Sequence, residues 1–301
     1  MEQFGLTGEM AMLPNFFIVG APKAGTTSLF HYLDEHPEVF MSPVKEPNYF
    51  SYNEIVAQAL YYVEKGVGDQ GAYENLFQDA SGAKAVGEAS VSYLFYNNVG
   101  AKIHSLLPEA KIIIVLRDPT ARAFSHYLMD RRLGYVNVPF DDIVRQNSNH
   151  PLQNLYYQQS VLLGMYYEQV KRYLELFGEK RVKIFLNDDL KTDTPGVVRS
   201  LFEFLEVDTS VNHDFSRKHN VYGKPRNFLV QYFYTKKILR GLMKKILPVQ
   251  LASNMKKSLV VPGEKPVMNT ETKAFLQKIY HEDVKKLSGL INRDLAHWSV
   301  A

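Results

Sequence analysis

The apolar positions of this chain fall into short continuous runs, each followed by a polar loop and then by positions spaced as on a helix. Phe16 to Val19 is the first such run, Gly20 and Gly25 bracket the loop after it, and Thr26, Thr27 and Ser28 open a helix expected to reach about Leu33. A second short strand follows the turn at His36 to Phe40. Residues 51–80 read as helical with a loop around Gly66 to Gly71, Ala85 to Ser90 as a strand with a polar end, and 97–107 as a helix stopped by Pro108. Lys111 to Leu116 is the strongest strand: it is β-branched, continuous and bounded by Pro108 and Pro119, as a central parallel strand should be. Ala121 to Arg132 then reads as a helix, 135–155 as loop, Tyr156 to Phe177 as one long helix closed by Gly178, and Val182 to Leu186 as a strand. Gly196 to Leu205 reads as a helix with Thr194 and Pro195 at its start, 207–227 as irregular, and 270–297 as a terminal helix or two. This alternation predicts an α/β fold with a doubly wound parallel sheet flanked by helices. No internal repeat or clear linker interrupts the 301 residues, which read as a single domain with a disordered or linker N-terminus over 1–13.

The loop after the first strand carries chemistry. A strand, a Gly-containing loop and a helix N-terminus aim free backbone N–H groups and the positive end of the helix dipole at one place, and the hydroxyls of Thr26, Thr27 and Ser28 add donors. The string PNFFIVGAPKAGTTS is P-loop-like, with Gly20-x-x-x-x-Gly25, but Thr26 and Thr27 stand where Lys-Ser/Thr should follow. Lys23 lies inside the loop instead, where it would sit beside the bridge between a bound phosphate and whatever is attached to it. The bland alternative is an ordinary Gly-rich turn. Arg117, Asp118 and Pro119 lie at the carboxyl end of the strongest strand, and ligands of open α/β sheets bind outside the carboxyl ends of the strands. Loop and arginine are therefore expected to face one crevice. Asp118 also allows a Walker-B reading, and with it a kinase or NTPase using ATP and magnesium; the missing P-loop lysine opposes it. A nucleotide-binding module without turnover is the non-enzyme alternative.

Composition narrows the classes. A net charge of +3 argues against a dedicated nucleic-acid binder, and the absence of cysteine excludes disulfides and thiolate metal sites. No His/Asp/Glu set has metal spacing, so no metal is expected. The N-terminal segment lacks the pattern of a signal peptide, and no run is long enough to span a membrane, which makes a soluble, cytoplasmic protein the expectation. His31 and His126 read as packing or surface residues on helices, with His126 singled out by its neighbour Ser125. The tyrosines at 61–62, 156–157 and 166–167 read as core, or as the lining of an apolar acceptor pocket. The aromatic and basic stretch 228–247 reads as a packed helix with a solvated basic face; its second reading is a weak contact with a membrane surface or an acidic partner.

The string PKAGTTSL, followed downstream by Leu116-Arg117-Asp118-Pro119-x-x-Arg122-x-x-Ser125, resembles the PAPS-dependent sulfotransferases over roughly residues 14–227. Lys45 to Phe50, KEPNYF, is most similar to the heparan-sulfate and bacterial branch. The resemblance implies PAPS (3′-phosphoadenosine 5′-phosphosulfate) as donor, PAP (adenosine 3′,5′-bisphosphate) as product, and a small-molecule or carrier-bound hydroxyl as acceptor. Pro22, Lys23, Ala24, Gly25, Thr26, Thr27 and Ser28 would hold the 5′-phosphosulfate, with Lys23 on the bridging oxygen. Arg117 and Ser125 would hold the 3′-phosphate, and Gly223, Lys224 and Arg226 would belong to a loop over the nucleotide. Glu46 would be the catalytic base; Glu88 and His126 are the other candidates. Asn48 stands where the heparan branch often has histidine, which leans the acceptor toward an apolar or acyl chain and leaves lipids and saccharides open.

Overall fold

The computed structural model describes residues 12–61, 66–215, 223–225, 260–262 and 265–299. Phe16, Phe17, Ile18 and Val19 have no exposed surface, which places β1 (Phe16–Gly20) in the middle of a sheet. After it come α1 (Thr26–Asp34), β2 (Val39–Met41), α2 (Tyr52–Ala57), α3 (Gln70–Glu74), β3 (Ala85–Ala89), α4 (Val99–Leu106) and β4 (Lys111–Leu116). Next are α5 (Pro119–Leu133), α6 (Phe140–Arg145), α7 (Gln153–Ser160), α8 (Tyr166–Phe177), β5 (Val182–Leu186), α9 (Asn187–Thr192) and α10 (Thr194–Leu205). Two short antiparallel strands, β6 (Gly223–Pro225) and β7 (Val260–Pro262), and α11 (Thr270–Leu290) complete the order.

The main sheet has five parallel strands in the order β2-β3-β1-β4-β5. The chain leaves β1 for the edge strand β2, returns with β3 beside β1, and then crosses to β4 and β5 on the other side, so β1 is the switch point, where ligands of such sheets bind. α8 packs on β4 and β5, α10 on β5, and α1 on β2. The described residues fall into two compact units: one from segments 1–118, 166–217 and 286–293, the other from 119–165, 218–285 and 294–301. The sheet belongs to the first.

The pattern misplaces several helices. The stretch expected as loop over 135–155 contains α6, whose Phe140, Ile143 and Val144 are buried at helical spacing behind Pro139. Among the described residues of 51–80, the helical expectation shrinks to α2 and α3 with a short 3₁₀ turn at each. The single long helix expected over Tyr156–Phe177 is broken at Val161–Met165. The cause is competition for carbonyls. Arg122, fully buried on α5, donates from Nη2 to the Gln159 and Ser160 carbonyl oxygens, and Tyr280 Oη donates to Val161 O at 2.9 Å. Those three carbonyls would accept the next helical turn; the guanidinium takes the first two, and Val161 O accepts from the phenol and, at 2.8 Å in a 3₁₀ turn, from Gly164 N–H.

Candidate functional site

The two loop glycines of the first βα turn are needed for different reasons. A Cβ on Gly20 would lie 2.6 Å from Leu94 Cβ, so glycine is what lets the segment after β3 close against the loop. Gly25 caps α1 with φ of 110°, a left-handed conformation that side chains resist. Lys23 is also left-handed, with φ of 67°, and has no such excuse. Such backbone persists only where its surroundings hold it. Arg117 Nη1 donates to Lys23 O at 3.0 Å, and Asn187 Nδ2 donates to Ala24 O at 2.8 Å. The loop is thus clamped from the ends of β4 and β5. Thr26 is buried, while Pro22, Lys23, Gly25, Thr27 and Ser28 are partly exposed. Asn187 had no signal in the sequence; it is one of many asparagines, and only the fold brings it to the loop.

Glu46 follows β2. Its N–H donates to Ala89 O at 2.9 Å, on the last residue of β3. The side chain is part-exposed and accepts a hydrogen bond from Lys45 Nζ at 2.8 Å. Its backbone is left-handed, φ 62°, although it precedes Pro47. Lys23, Glu46 and Arg117 therefore all stand at the carboxyl edge of the same sheet, beside its switch point.

Glu88 lies one residue before the end of β3 and has no exposed surface. It is sealed beneath Tyr73 and Tyr93, so an acceptor hydroxyl has no way to touch it here. Burial pushes its carboxyl up to about 7, opposed in part by the hydroxyls of Tyr93, Tyr73 and Ser90; neither oxygen makes a hydrogen bond of standard geometry. A carboxyl raised from 4.5 to about 7 keeps its proton in the native state after the unfolded chain has lost it. Stability contributed by this group is therefore present below about pH 4.5 and falls as pH rises toward 7. The fall is on the order of 3 kcal/mol. Glu88→Gln, a mimic of the neutral acid, should remove it. Denaturant unfolding at about pH 5 and about pH 8 checks this: an unchanged pH dependence in the variant contradicts the assignment.

The remaining predicted site residues lie in the second unit or outside the described residues. Ser125 is partly exposed on α5. His126 is buried; Arg122 Nη1 donates to its Nδ1 at 3.1 Å, which puts the ring proton on Nε2, 3.8 Å from Asp130 Oδ2. Both ring nitrogens thus face interior partners, a poor arrangement for a base. Gly223 and Lys224 form part of β6; Arg226 and the stretch 228–247 lie outside the described residues. Tyr156 and Tyr166 are core residues, and the Tyr156 hydroxyl donates to Tyr135 O at 2.9 Å. A cavity of about 370 Å³ in the second unit, lined by Phe124, Tyr127, Phe140 and Met268 among others, contains none of the paired tyrosines. Among the described residues no helix is long and apolar enough to cross a membrane, and no three His, Asp or Glu are grouped to hold a metal.

A family model described as "Sulfotransferase domain" matches residues 13–288. The chain belongs to the sulfotransferase family. A crystal structure of a sulfotransferase from Alicyclobacillus acidocaldarius is 31% identical, with a TM-score of 0.69 and coverage of 95% of this chain and 99% of that one. Membrane-associated sulfotransferase kil1 of Dictyostelium discoideum is 28% identical over 178 residues, 58% of this chain and 34% of its own length. Human bifunctional heparan sulfate N-deacetylase/N-sulfotransferase 2 is 30% identical over 207 residues, 67% of this chain and 23% of its own length. The sulfotransferase domain described here thus spans about a third or less of these two relatives.

Proposed function

We propose that this chain transfers a sulfonate from PAPS to an acceptor hydroxyl by in-line displacement and releases PAP. The observation that carries the reading is the clamped Pro22–Ser28 loop, with Lys23 held left-handed inside it at the switch point of the sheet. Glu46 accepts the proton of the acceptor hydroxyl as its oxygen forms the new bond to sulfur. The bond from sulfur to the bridging oxygen breaks, and Lys23 stabilises the charge that collects on that oxygen. Gly25, Thr26, Thr27 and Ser28 hold the 5′-phosphate through backbone N–H groups and hydroxyls at the start of α1. Arg117 and Ser125 bind the 3′-phosphate, with Gly223, Lys224 and Arg226 over the nucleotide. The acceptor is a hydroxyacyl chain, a lipid or a saccharide; the heparan sulfate relative supports the last, and the aromatic content of the chain the others.

Calorimetry with PAP, adenosine 5′-monophosphate and ATP tests the donor assignment. PAP should bind without magnesium, at least tenfold tighter than the analogue lacking the 3′-phosphate, since charge-assisted hydrogen bonds contribute roughly 1.5–3 kcal/mol each. Arg117→Ala should weaken both nucleotides, because the same guanidinium clamps the loop, and should erase most of the preference for PAP. A preference for ATP with magnesium overturns the reading in favour of a kinase or NTPase.

A further inference from the structure

Glu46 holds a conformation that is unfavourable twice over, left-handed and directly before a proline. What opposes that strain is two residues away. Asn48 is itself left-handed, with φ 54° and ψ 26°, a conformation asparagine tolerates better than most residues. Its Nδ2 donates to Glu46 O at 2.9 Å, and its Oδ1 accepts from Ser92 Oγ at 2.7 Å. Having spent its proton there, Ser92 accepts from Ser51 Oγ at 2.8 Å, and Ser51 Oγ also lies 3.3 Å from Asn48 O. The Asn48 N–H donates to Ser90 Oγ at 3.0 Å. The segment 46–51 is thereby tied at several points to the segment 89–92 that follows β3.

The geometry points to Asn48 as a positioning residue: its carboxamide, held between the Glu46 carbonyl and the Ser92 hydroxyl, locks the turn that presents Glu46 to the acceptor. This deepens the sulfotransferase reading and rests on Glu46 being the base. It also means that both polar ends of the Asn48 side chain already serve the protein's own turn. Discrimination among acceptors then falls to other residues. A second reading of Asn48 is that it merely tolerates a left-handed backbone, a task glycine performs as well.

Asn48→Gly separates the two, because it keeps the backbone freedom and deletes the carboxamide. The assay is PAP release from PAPS with water and a panel of an alkanol, a hydroxyacyl thioester and a heparosan-type oligosaccharide, alongside calorimetry with PAP and hydrogen exchange over residues 44–51. Asn48→Gly should bind PAP as the wild type does and exchange faster over that peptide. Its kcat should fall about tenfold to a hundredfold with little change in KM, the size expected when a reacting group is misplaced by a fraction of an ångström or more. Ser92→Ala should show the same pattern in weaker form. Wild-type kcat in Asn48→Gly, or equal losses in PAP affinity and turnover, overturns the positioning role. If the wild-type protein releases no PAP with any acceptor, water included, the sulfotransferase reading itself fails. Faster exchange in the variant would still report the structural lock.

Discussion

Glu46→Gln is expected to fold, to bind PAP as the wild type does, and to lose about 10²–10⁴-fold in kcat. A neutral hydroxyl is a poor nucleophile until something accepts its proton, and glutamine keeps the shape of glutamate while removing its basicity. The backbone bond from Glu46 N–H to Ala89 O does not depend on the side chain, nor does the Asn48 bond to Glu46 O, so the turn should survive. The Pro22–Ser28 loop is clamped by Arg117 and Asn187, neither of which contacts Glu46 through any hydrogen bond described above, so donor binding should survive as well. The competing explanation is a solvated ion pair between Lys45 and Glu46, 2.8 Å apart and part-exposed, worth roughly 0–1 kcal/mol in stability and nothing in turnover. Lys45→Ala controls for it. Glu88→Gln and His126→Ala are the parallel tests. Both residues are buried, so loss of function in either should come with altered stability, whereas Glu46→Gln should leave unfolding unchanged. Near wild-type kcat in Glu46→Gln, with collapse in one of the others, would show that the base is elsewhere even if sulfonate transfer stands.

Lys23→Ala should cut kcat far more than it weakens ground-state binding of PAPS. In the proposed reaction charge builds on the bridging oxygen only as the sulfonate leaves it, and that charge is small in bound PAPS. Losing such a contact costs on the order of 3 kcal/mol, about a hundredfold in rate. The left-handed backbone at position 23 complicates alanine, since φ of 67° is no easier for alanine than for lysine. Lys23→Gly relaxes that strain while deleting the same charge. If both variants lose turnover alike and keep the affinity for PAPS measured without acceptor, the ammonium is responsible. Parallel losses in PAPS affinity and kcat would instead assign Lys23 to ground-state binding of the donor.

The strand, loop and helix start of the first βα unit were legible in the sequence because they are consecutive. A run of four apolar residues, two glycines and three hydroxyl residues encode that turn locally. Lys111–Leu116 was equally legible, since a β-branched run between prolines has few other conformations open to it. The order of the strands, with β1 at the switch point, follows from how the helices pack and is not written in any one segment.

Burial and partnership were decided by the tertiary structure alone. Glu88 reads in sequence as a polar strand end, yet β1 and β2 pair with the two edges of β3, and the carboxyl lies fully buried against Tyr73 and Tyr93. His126 sits beside Ser125 in a motif, yet Arg122 and Asp130 occupy the surroundings of its ring. The long helix expected through Val161 breaks because a guanidinium 38 residues earlier in the chain takes the Ser160 carbonyl. Asn187 reaches the loop after β1 from 163 residues away, and Asn48 is joined to Ser92 across 44. Sequence patterns carry the preferences of neighbours along the chain. Hydrogen bonds and desolvation depend on neighbours in space, and those exist only once the sheet has assembled.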